Sequence, residues 1–165
     1  MRTSKYSSPV LKHDVYDGDT VRMELDVGYY FHAFLSARVH GVDTAEMRPS
    51  KTKTPHHALH VEVAKLSKEV VSCWLDEAST TGDLMFVSIA RDKYSGRAVG
   101  DFYLFGRYDE PSLSDYLLAH CLAHPYSGGK KQAFTKEWLE SAKTRAQELL
   151  GHTDGVLAAG AELLD

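Results

Sequence analysis

The sequence is poor in cysteine, in long apolar runs and in excess positive charge, and each absence narrows the class of protein. The two cysteines among 165 residues, Cys73 and Cys121, lie far apart and in no C-x-x-C spacing. Each falls within a helical apolar pattern, so we expect buried, reduced thiols rather than a disulfide framework. At this length one domain can bury about 70% of its unfolded surface without disulfides or a structural metal.

No stretch of the chain has the character of a signal peptide or a membrane anchor. Residues 1–9, M-R-T-S-K-Y-S-S-P, contain no apolar segment, and no apolar run approaches the roughly 20 residues that a transmembrane helix needs. We therefore expect an intracellular, cytoplasmic protein without a membrane partner, or a secreted one if a leader has been removed. No feature of the sequence indicates an obligate protein partner.

The formal net charge of −4 argues mildly against a nucleic-acid partner, because proteins that bind phosphate backbones usually present a basic face. The distribution of charge still allows one, since several basic residues cluster near the motifs described below. They are Arg48, Lys51, Lys53, Arg91, Lys93, Arg97, Lys130 and Lys131. The run from Arg48 to Lys53 has two interpretations, a solvated loop or a loop that guides phosphates.

The nine histidines do not form a recognisable zinc motif. His56, His57 and His60 lie close together at the start of a predicted helix. They have no glutamate in an H-E-x-x-H arrangement and no cysteine nearby, so we expect no histidine metal site.

Alternating apolar and β-branched residues predict five strands, with turns at Asp17-Gly18-Asp19 and at Gly28. The predicted strands are residues 10–15, 21–27, 30–42, 84–90 and 98–105. Apolar residues at intervals of three and four predict a long helix over about residues 57–79, whose Leu, Val and Trp stripe is interpreted as core. Ser112, with Asp115 three positions later, is typical of a capping box opening a helix that ends near residue 122.

A last helix is predicted over residues 134–150, ended by Gly151. Residues 152–165 are small, apolar and acidic, and they fit either a short helix or a loose tail. Five short strands with a helix between the third and the fourth are the element order of an OB-fold barrel. We therefore predict an α+β fold, a five-stranded OB-fold β-barrel with about three packed α-helices.

Two carboxylates are placed where they can share a cation. Asp19 follows a glycine in a tight turn and Asp43 ends a predicted strand. They can reach one point from different strands while a backbone carbonyl and waters complete the shell. Oxygen ligands favour Ca²⁺ or Mg²⁺ over zinc or copper. The alternative is that D-G-D-T is merely a hairpin turn.

Arg38 and Arg97 come from separate segments and are candidates for neutralising a phosphate. A phosphorane-like transition state gathers negative charge on its equatorial oxygens, which bidentate guanidiniums can meet. Surface ion pairs are the plainer interpretation of each arginine. Glu46, three residues beyond Asp43, is placed to hold an attacking water, either as a general base or by orienting it.

Three segments that contain these residues resemble, in order and spacing, the signature segments of the staphylococcal-nuclease-like family. They are V-Y-D-G-D-T-V (15–21), A-R-V-H-G-V-D-T-A-E (37–46) and R-D-K-Y-S-G-R (91–97). L-L-A-H-C-L-A-H-P-Y (117–126) is similar to the family's helix and following tyrosine. The resemblance covers roughly residues 9–150, leaving residues 1–8 as an N-terminal extension and 151–165 as a C-terminal tail.

The resemblance implies the OB barrel and a calcium ion held by Asp19, Asp43 and the main-chain oxygen of Thr44, with Mg²⁺ as the other candidate. It also implies that three further residues surround a terminal phosphate of bound nucleotide. These are Lys93, Tyr94 and Tyr126, and for the tyrosines packing on the barrel is the alternative. The chain departs from the family at Ala45, where many members have proline, and by one extra residue between Tyr94 and Arg97.

Together these features predict a Ca²⁺-dependent endonuclease that hydrolyses phosphodiester bonds of DNA, RNA or both. In this hypothesis a water assisted by Glu46 attacks in line while Arg38 and Arg97 stabilise the phosphorane. The alternative is a nuclease-like nucleic-acid-binding module with weak or no turnover. Retention of the catalytic side chains favours the enzyme, whereas the acidic balance and the extra loop residue favour the binding module.

Overall fold

The computed structural model describes residues 6–82, 84–91 and 97–162. The strands in this part of the chain are β1 (Tyr6–Asp17), β2 (Thr20–Asp26), β3 (His32–Val39), β4 (Val42–Asp43), β5 (Leu84–Arg91), β6 (Ala98–Leu104) and β7 (His124–Pro125). The helices are α1 (His57–Thr81), α2 (Leu113–Ala119), α3 (Lys136–Leu150) and α4 (Val156–Glu162). Each of the five predicted strands and three predicted helices has a counterpart.

Five strands close into a barrel in the order β1-β2-β3-β6-β5, and β4 and β7 form a separate two-stranded sheet. Neighbouring barrel strands are antiparallel except β3 and β6, which run parallel over three residue pairs. The α+β fold with a five-stranded OB-type barrel and packed helices is therefore confirmed.

The register of β2 fixes which side chains share an end of the barrel. Thr20 pairs with Arg38 of β3 and with Asp17 of β1, so the β1–β2 turn and the end of β3 lie together. At its other end, Asp26 pairs with His32, and the β2–β3 turn follows. The two turns therefore lie at opposite ends of the same strand.

The predicted strand over residues 30–42 is wrong in its bounds, because left-handed backbone interrupts it on both sides. Tyr30 has a φ of 65°, so β3 begins two residues later. Gly41 has a φ of 79°, which ends β3 and sends the chain into the short strand β4. Asp43 consequently sits on a separate element beside the barrel.

The predicted capping box of α2 is confirmed, with Ser112 accepting from the backbone of Asp115 while the Asp115 carboxylate accepts from the backbone of Ser112. This helix ends at Ala119, about three residues before its predicted end, and Cys121 has a left-handed φ of 55°. Cys121 is exposed and Cys73 is partly buried, both as free thiols. The expectation of two buried thiols is therefore wrong for Cys121, which follows the helix instead of facing its core.

Helix α4 resolves the alternative left open for the tail. Glu77 of α1 accepts hydrogen bonds from the backbone N–H groups of Val156 (2.9 Å) and Leu157 (2.8 Å), at the start of α4. Tyr116 Oη donates to the carbonyl of Val156 at 2.8 Å. Residues 156–162 thus form a helix anchored to both α1 and α2.

The core fills the barrel and extends between the barrel and the helices. Phe86 and Phe102 pack inside the barrel with ring centroids 5.2 Å apart. A Cβ at Gly100 would lie 2.6 Å from the Phe86 ring, so only glycine fits there. On α1, Val63, Val70 and Trp74 are almost fully buried, which confirms that the stripe on this helix is core. No helix in the described ranges combines the length and apolarity needed to cross a bilayer.

Candidate active site

A single guanidinium joins the two predicted metal-binding carboxylates. Arg38 Nη2 lies 3.1 Å from Asp19 Oδ2 and 3.3 Å from Asp43 Oδ1, and it also donates to the carbonyl of Val42 at 3.3 Å. The pairing of Thr20 with Arg38 brings the arginine beside the β1–β2 turn. The structure therefore brings together Asp19, Arg38 and Asp43 from three different elements.

Asp19 is held by its neighbours on the turn and on the strand exit. Its Oδ1 accepts from the Thr20 hydroxyl at 3.1 Å, and its Oδ2 accepts from the Thr44 backbone N–H at 3.3 Å. A Cβ at Gly18 would lie 2.9 Å from Thr44 Oγ1, so the turn packs directly on this residue. Burial raises the pKa of Asp19 to about 6, against the opposing charge of Arg38. A cation at this carboxylate would favour its ionised form.

Asp43 has unused coordinating capacity. Its side chain is 1% exposed, and no described residue hydrogen-bonds its Oδ2 atom. A buried carboxylate oxygen without a partner is unfavourable unless a cation or a water meets it. Within the described ranges no three His, Cys, Asp or Glu side chains group as a metal site. The two carboxylates would therefore need the main-chain oxygen of Thr44 and waters, which are donors suited to Ca²⁺ or Mg²⁺.

Lys131 supplies a positive charge between two of the predicted site residues. Its Nζ lies 2.7 Å from Asp43 Oδ1 and 2.9 Å from Glu46 Oε1. Burial acts to lower the pKa of Lys131, but the hydrogen bonds to these carboxylates outweigh it and raise that pKa. The hydrogen bond from Lys131 is also the main reason that the pKa of Glu46 is lowered. Glu46 is thus ionised and paired in this arrangement.

His60 positions the backbone beside Glu46. This buried residue of α1 accepts a hydrogen bond at Nε2 from the Glu46 N–H, with N and Nε2 2.9 Å apart. Burial lowers the pKa of His60, which favours the neutral ring that such an acceptor requires. Its ring meets Phe134 edge to face at 5.3 Å. The expectation that no described histidine forms a metal site stays a prediction, but this histidine has a structural role.

A second histidine lies behind Asp43. His124 of β7 pairs with Asp43 of β4 in the two-stranded sheet. Its ring stacks on Phe134 with centroids 4.9 Å apart and is tilted against Trp138 at 4.5 Å. The short sheet therefore fixes the backbone of Asp43 against β7.

Asp19 and several of its neighbours line a cleft of about 890 Å³. Its lining includes Arg38, Glu46, Arg97, Tyr126 and Lys131. Arg97 is therefore in the same cleft as Arg38, despite the extra residue that precedes it. The Arg38 Cζ atom lies 5.4 Å from the centroid of the Tyr126 ring, a cation–π distance.

Tyr126, which the resemblance places near a terminal phosphate, lies in the lining of the cleft. Its N–H donates to the Gly41 carbonyl at 2.8 Å, and its hydroxyl donates to the Gly129 carbonyl at 3.3 Å. The other two residues expected at a nucleotide phosphate, Lys93 and Tyr94, lie outside the described residues.

Neither protein-family models nor curated proteins match this chain. The resemblance to the staphylococcal-nuclease-like family therefore rests on the sequence segments. The cleft itself combines paired buried carboxylates, two arginines, a glutamate and a lysine, which is chemistry suited to a charged phosphate ester.

Sequence reasoning missed two contacts in this cleft. It placed Lys131 only among the basic residues near the motifs, and it weighed His60 only as a zinc ligand. The G-G-K-K run of residues 128–131, which begins two positions after Tyr126, was the available signal for Lys131. His60 gave no comparable signal, because its bond to the backbone of Glu46 joins residues 14 positions apart.

Proposed function

We propose that this protein is a metal-dependent nuclease that hydrolyses phosphodiester bonds of DNA, RNA or both. The observation that carries the proposal is the bridging of Asp19 and Asp43 by one Arg38 guanidinium in a cleft that also contains Arg97 and Glu46. Substrate recognition in this proposal is electrostatic and centred on the phosphate.

Asp19, Asp43 and the main-chain oxygen of Thr44 would hold the metal, with Ca²⁺ as the first candidate and Mg²⁺ as the second. When bound, such a cation supplies Lewis-acid stabilisation of negative charge on phosphoryl oxygens. The buried Oδ2 of Asp43 supports this assignment, because no described residue hydrogen-bonds it and it can therefore serve as an oxygen ligand without losing such a bond.

Arg38 and Arg97 would neutralise the equatorial oxygens of the phosphorane. Arg38 is preorganised, since two carboxylates and the carbonyl of Val42 fix its guanidinium at the base of the cleft. A fixed donor stabilises developing charge without reorganising during the reaction. Tyr126 covers the guanidinium from one side, which limits the directions from which phosphate can approach.

Glu46 would accept a hydrogen bond or a proton from the attacking water. Its lowered pKa keeps it ionised at neutral pH, so it acts as an acceptor there. In the described arrangement Lys131 occupies one oxygen of Glu46. Catalysis therefore requires the ammonium of Lys131 to turn away, and the phosphate of an incoming substrate is a suitable new partner for it.

The second candidate is a nucleic-acid-binding module without turnover. Lys131 favours it, because this ammonium already supplies Asp43 and Glu46 with a positive charge from the chain itself. The net charge of −4 also fits weak, non-catalytic binding. Both candidates use the same cleft and differ only in turnover. Measuring cleavage and binding side by side therefore distinguishes them.

The test incubates the protein with plasmid DNA and with total RNA in calcium, in magnesium or in chelator. We expect cleavage in calcium, little in magnesium and none in chelator. Asp43→Asn should abolish the response to calcium, whereas Asp14→Asn, which changes an exposed carboxylate on β1, should not. Strand binding without cleavage under every condition would favour the binding module, and cleavage in excess chelator would contradict the metal requirement.

A further inference from the structure

An aromatic surface covers the end of the barrel opposite the cleft. Tyr29 is 93% exposed, Tyr30 100%, Phe31 69% and Phe34 77%. These four residues are called the aromatic surface below. Isolated exposed apolar side chains are common in soluble proteins, but neighbouring ones of this size mark interaction sites.

The turn that carries this surface has a backbone conformation that tyrosine disfavours. Phe31 N donates to the Gly28 carbonyl at 2.9 Å, and Val27 N donates to the Phe31 carbonyl at 3.1 Å, which closes a β-turn. Its central residues, Tyr29 and Tyr30, have φ values of 53° and 65°. Turns with two positive φ values usually contain Asn-Gly. Since both tyrosine side chains are exposed, packing within the described chain does not offset this strain.

A groove of about 570 Å³ lies directly beside the turn. Residues 6–9 of β1 form one wall, and Asp26, Val27 and Gly28 form the other. Asp26 Oδ1 accepts from the Gly28 N–H at 2.8 Å, so this carboxylate is engaged within the chain. Val27 and Gly28 belong both to the groove and to the turn. The groove and the projecting tyrosines are therefore parts of one continuous surface.

We propose that this surface binds a second copy of the same chain, with the tyrosines of each copy seated in the groove of the other. A surface that carries both a projection and a groove is self-complementary under a two-fold axis. Residues 27–35 contain no Asp, Glu, Lys or Arg, so the turn brings no charge to the contact, and Asp26, which the Gly28 N–H engages, is the acidic side chain of the groove. The same lack of Lys and Arg disfavours nucleic acid as the occupant.

The area of the aromatic surface agrees with that of a stable dimer. An aromatic side chain buries roughly 150–250 Å², so the four residues offer on the order of 700 Å² per copy. A standard interface takes about 800 Å² from each partner. Tyr6 and Val27, which are 67% and 51% exposed at the groove, supply the remainder.

This dimer leaves both clefts open. The seven residues of β2 separate the aromatic surface from Thr20 at the cleft, a distance of about 20 Å at the usual rise of a strand. Dimerisation is thus independent of the proposed nuclease activity.

Sedimentation of the full chain over a concentration series, from micromolar to submillimolar, tests the proposal. The parent should form dimers. The turn variant Tyr29→Asn/Tyr30→Gly places the preferred residues in the turn, so it should fold while its dimer dissociation constant rises at least ~30-fold. The groove variant Ser7→Arg should have a similar effect. Phe105→Ser, which removes an exposed aromatic outside both features, should not change the constant.

Mixing the turn variant with the groove variant sharpens the test. The mixture restores one of the two contacts, because the groove variant supplies tyrosines and the turn variant supplies an intact groove. It should dimerise more strongly than either variant alone. A parent that stays monomeric throughout the series, or a turn variant that dimerises like the parent, overturns the proposal. A monomeric parent that loses binding to a single-stranded oligonucleotide in the turn variant also overturns it, and identifies a stacking surface instead.

Discussion

The two turns at the ends of β2 have opposite relations to the rest of the chain. The β1–β2 turn places Asp19 against Arg38 and Thr44, where other elements satisfy its side chain. The β2–β3 turn places Tyr29 and Tyr30 in solvent on a strained backbone. The first turn is determined by contacts inside the molecule. The second is closed by backbone hydrogen bonds, but its two tyrosine side chains are exposed, which is why we propose that they meet a second copy of the chain.

The comparison predicts that changes at the first turn affect chemistry and that changes at the second affect association. The largest effect should come from Arg38→Lys, which retains the charge but loses the planar fork that spans two carboxylates. We expect kcat to fall by about 10²- to 10³-fold with KM nearly unchanged. Steady-state cleavage of a single-stranded oligonucleotide in calcium measures this. Arg22→Lys, at an exposed arginine on β2, is the matched control. Equal activity in Arg38→Lys and the parent would show that Arg38 does not stabilise the transition state.

The next effect concerns Lys131, whose ammonium contacts Asp43 and would compete there with the proposed metal. Lys131→Met should tighten calcium binding about tenfold, because it removes a positive charge that contacts a candidate ligand. Calorimetric titration with calcium measures the affinity without substrate. Lys130→Met alters the adjacent exposed lysine and should leave the affinity unchanged. Weaker calcium binding in Lys131→Met would mean that the lysine supports the site rather than competing for it.

Substitutions in the β2–β3 turn should change the stability of the protein but not its catalysis. Tyr29→Asn/Tyr30→Gly relieves two left-handed tyrosines and should raise the free energy of unfolding of the dilute monomer by about 1 kcal/mol. Cleavage activity per chain should not change. Denaturant unfolding at low protein concentration measures the first quantity. A loss of stability would show that the tyrosines support the monomer, and the contrast between the two turns would then fail.

The smallest effect should be a loss of stability at mildly acidic pH, and it concerns His60 beside the cleft. Burial lowers the pKa of His60, so the fold favours its neutral ring. Its stabilising contribution is present above the ordinary histidine pKa of about 6.5 and is lost as pH falls through the lower folded value. His60→Gln keeps an acceptor for the Glu46 N–H but cannot be protonated. We expect the Tm of the parent to fall by a few degrees in acid, and the Tm of His60→Gln to fall less. Thermal unfolding of both proteins over a series of pH values measures this. If Tm depends on pH in the same way in both proteins, His60 is not responsible for the loss of stability in acid.

The fold was largely predictable because its signals are local. Strand alternation, the apolar stripe of α1 and the pairing of Ser112 with Asp115 each depend on residues close in sequence. The early end of α2 and the exposure of Cys121 were not predicted, since the left-handed backbone there follows from the chain's path and not from its apolar pattern.

The candidate site was predictable in part. Asp19, Arg38 and Asp43 occur in short segments with a recognisable spacing, and the structure brings them together. The contact of Lys131 with Asp43 spans 88 positions and depends on how residues 126–135 fold back over the cleft. No local pattern encodes such a contact. A turn was predicted at Gly28, but its extension through Tyr30 was missed, because β propensity at Tyr30 favours a strand where the backbone is left-handed.

The most direct test of the proposed nuclease compares the parent with Glu46→Gln in calcium, measuring single-turnover cleavage of a labelled single-stranded oligonucleotide alongside its binding isotherm. The substitution keeps the size of the side chain but removes its ability to accept a proton. We predict that cleavage slows by at least ~10²-fold while oligonucleotide and calcium affinities persist. If the parent binds the strand without cutting it and the variant behaves identically, the nuclease hypothesis is contradicted and the binding-module hypothesis is favoured.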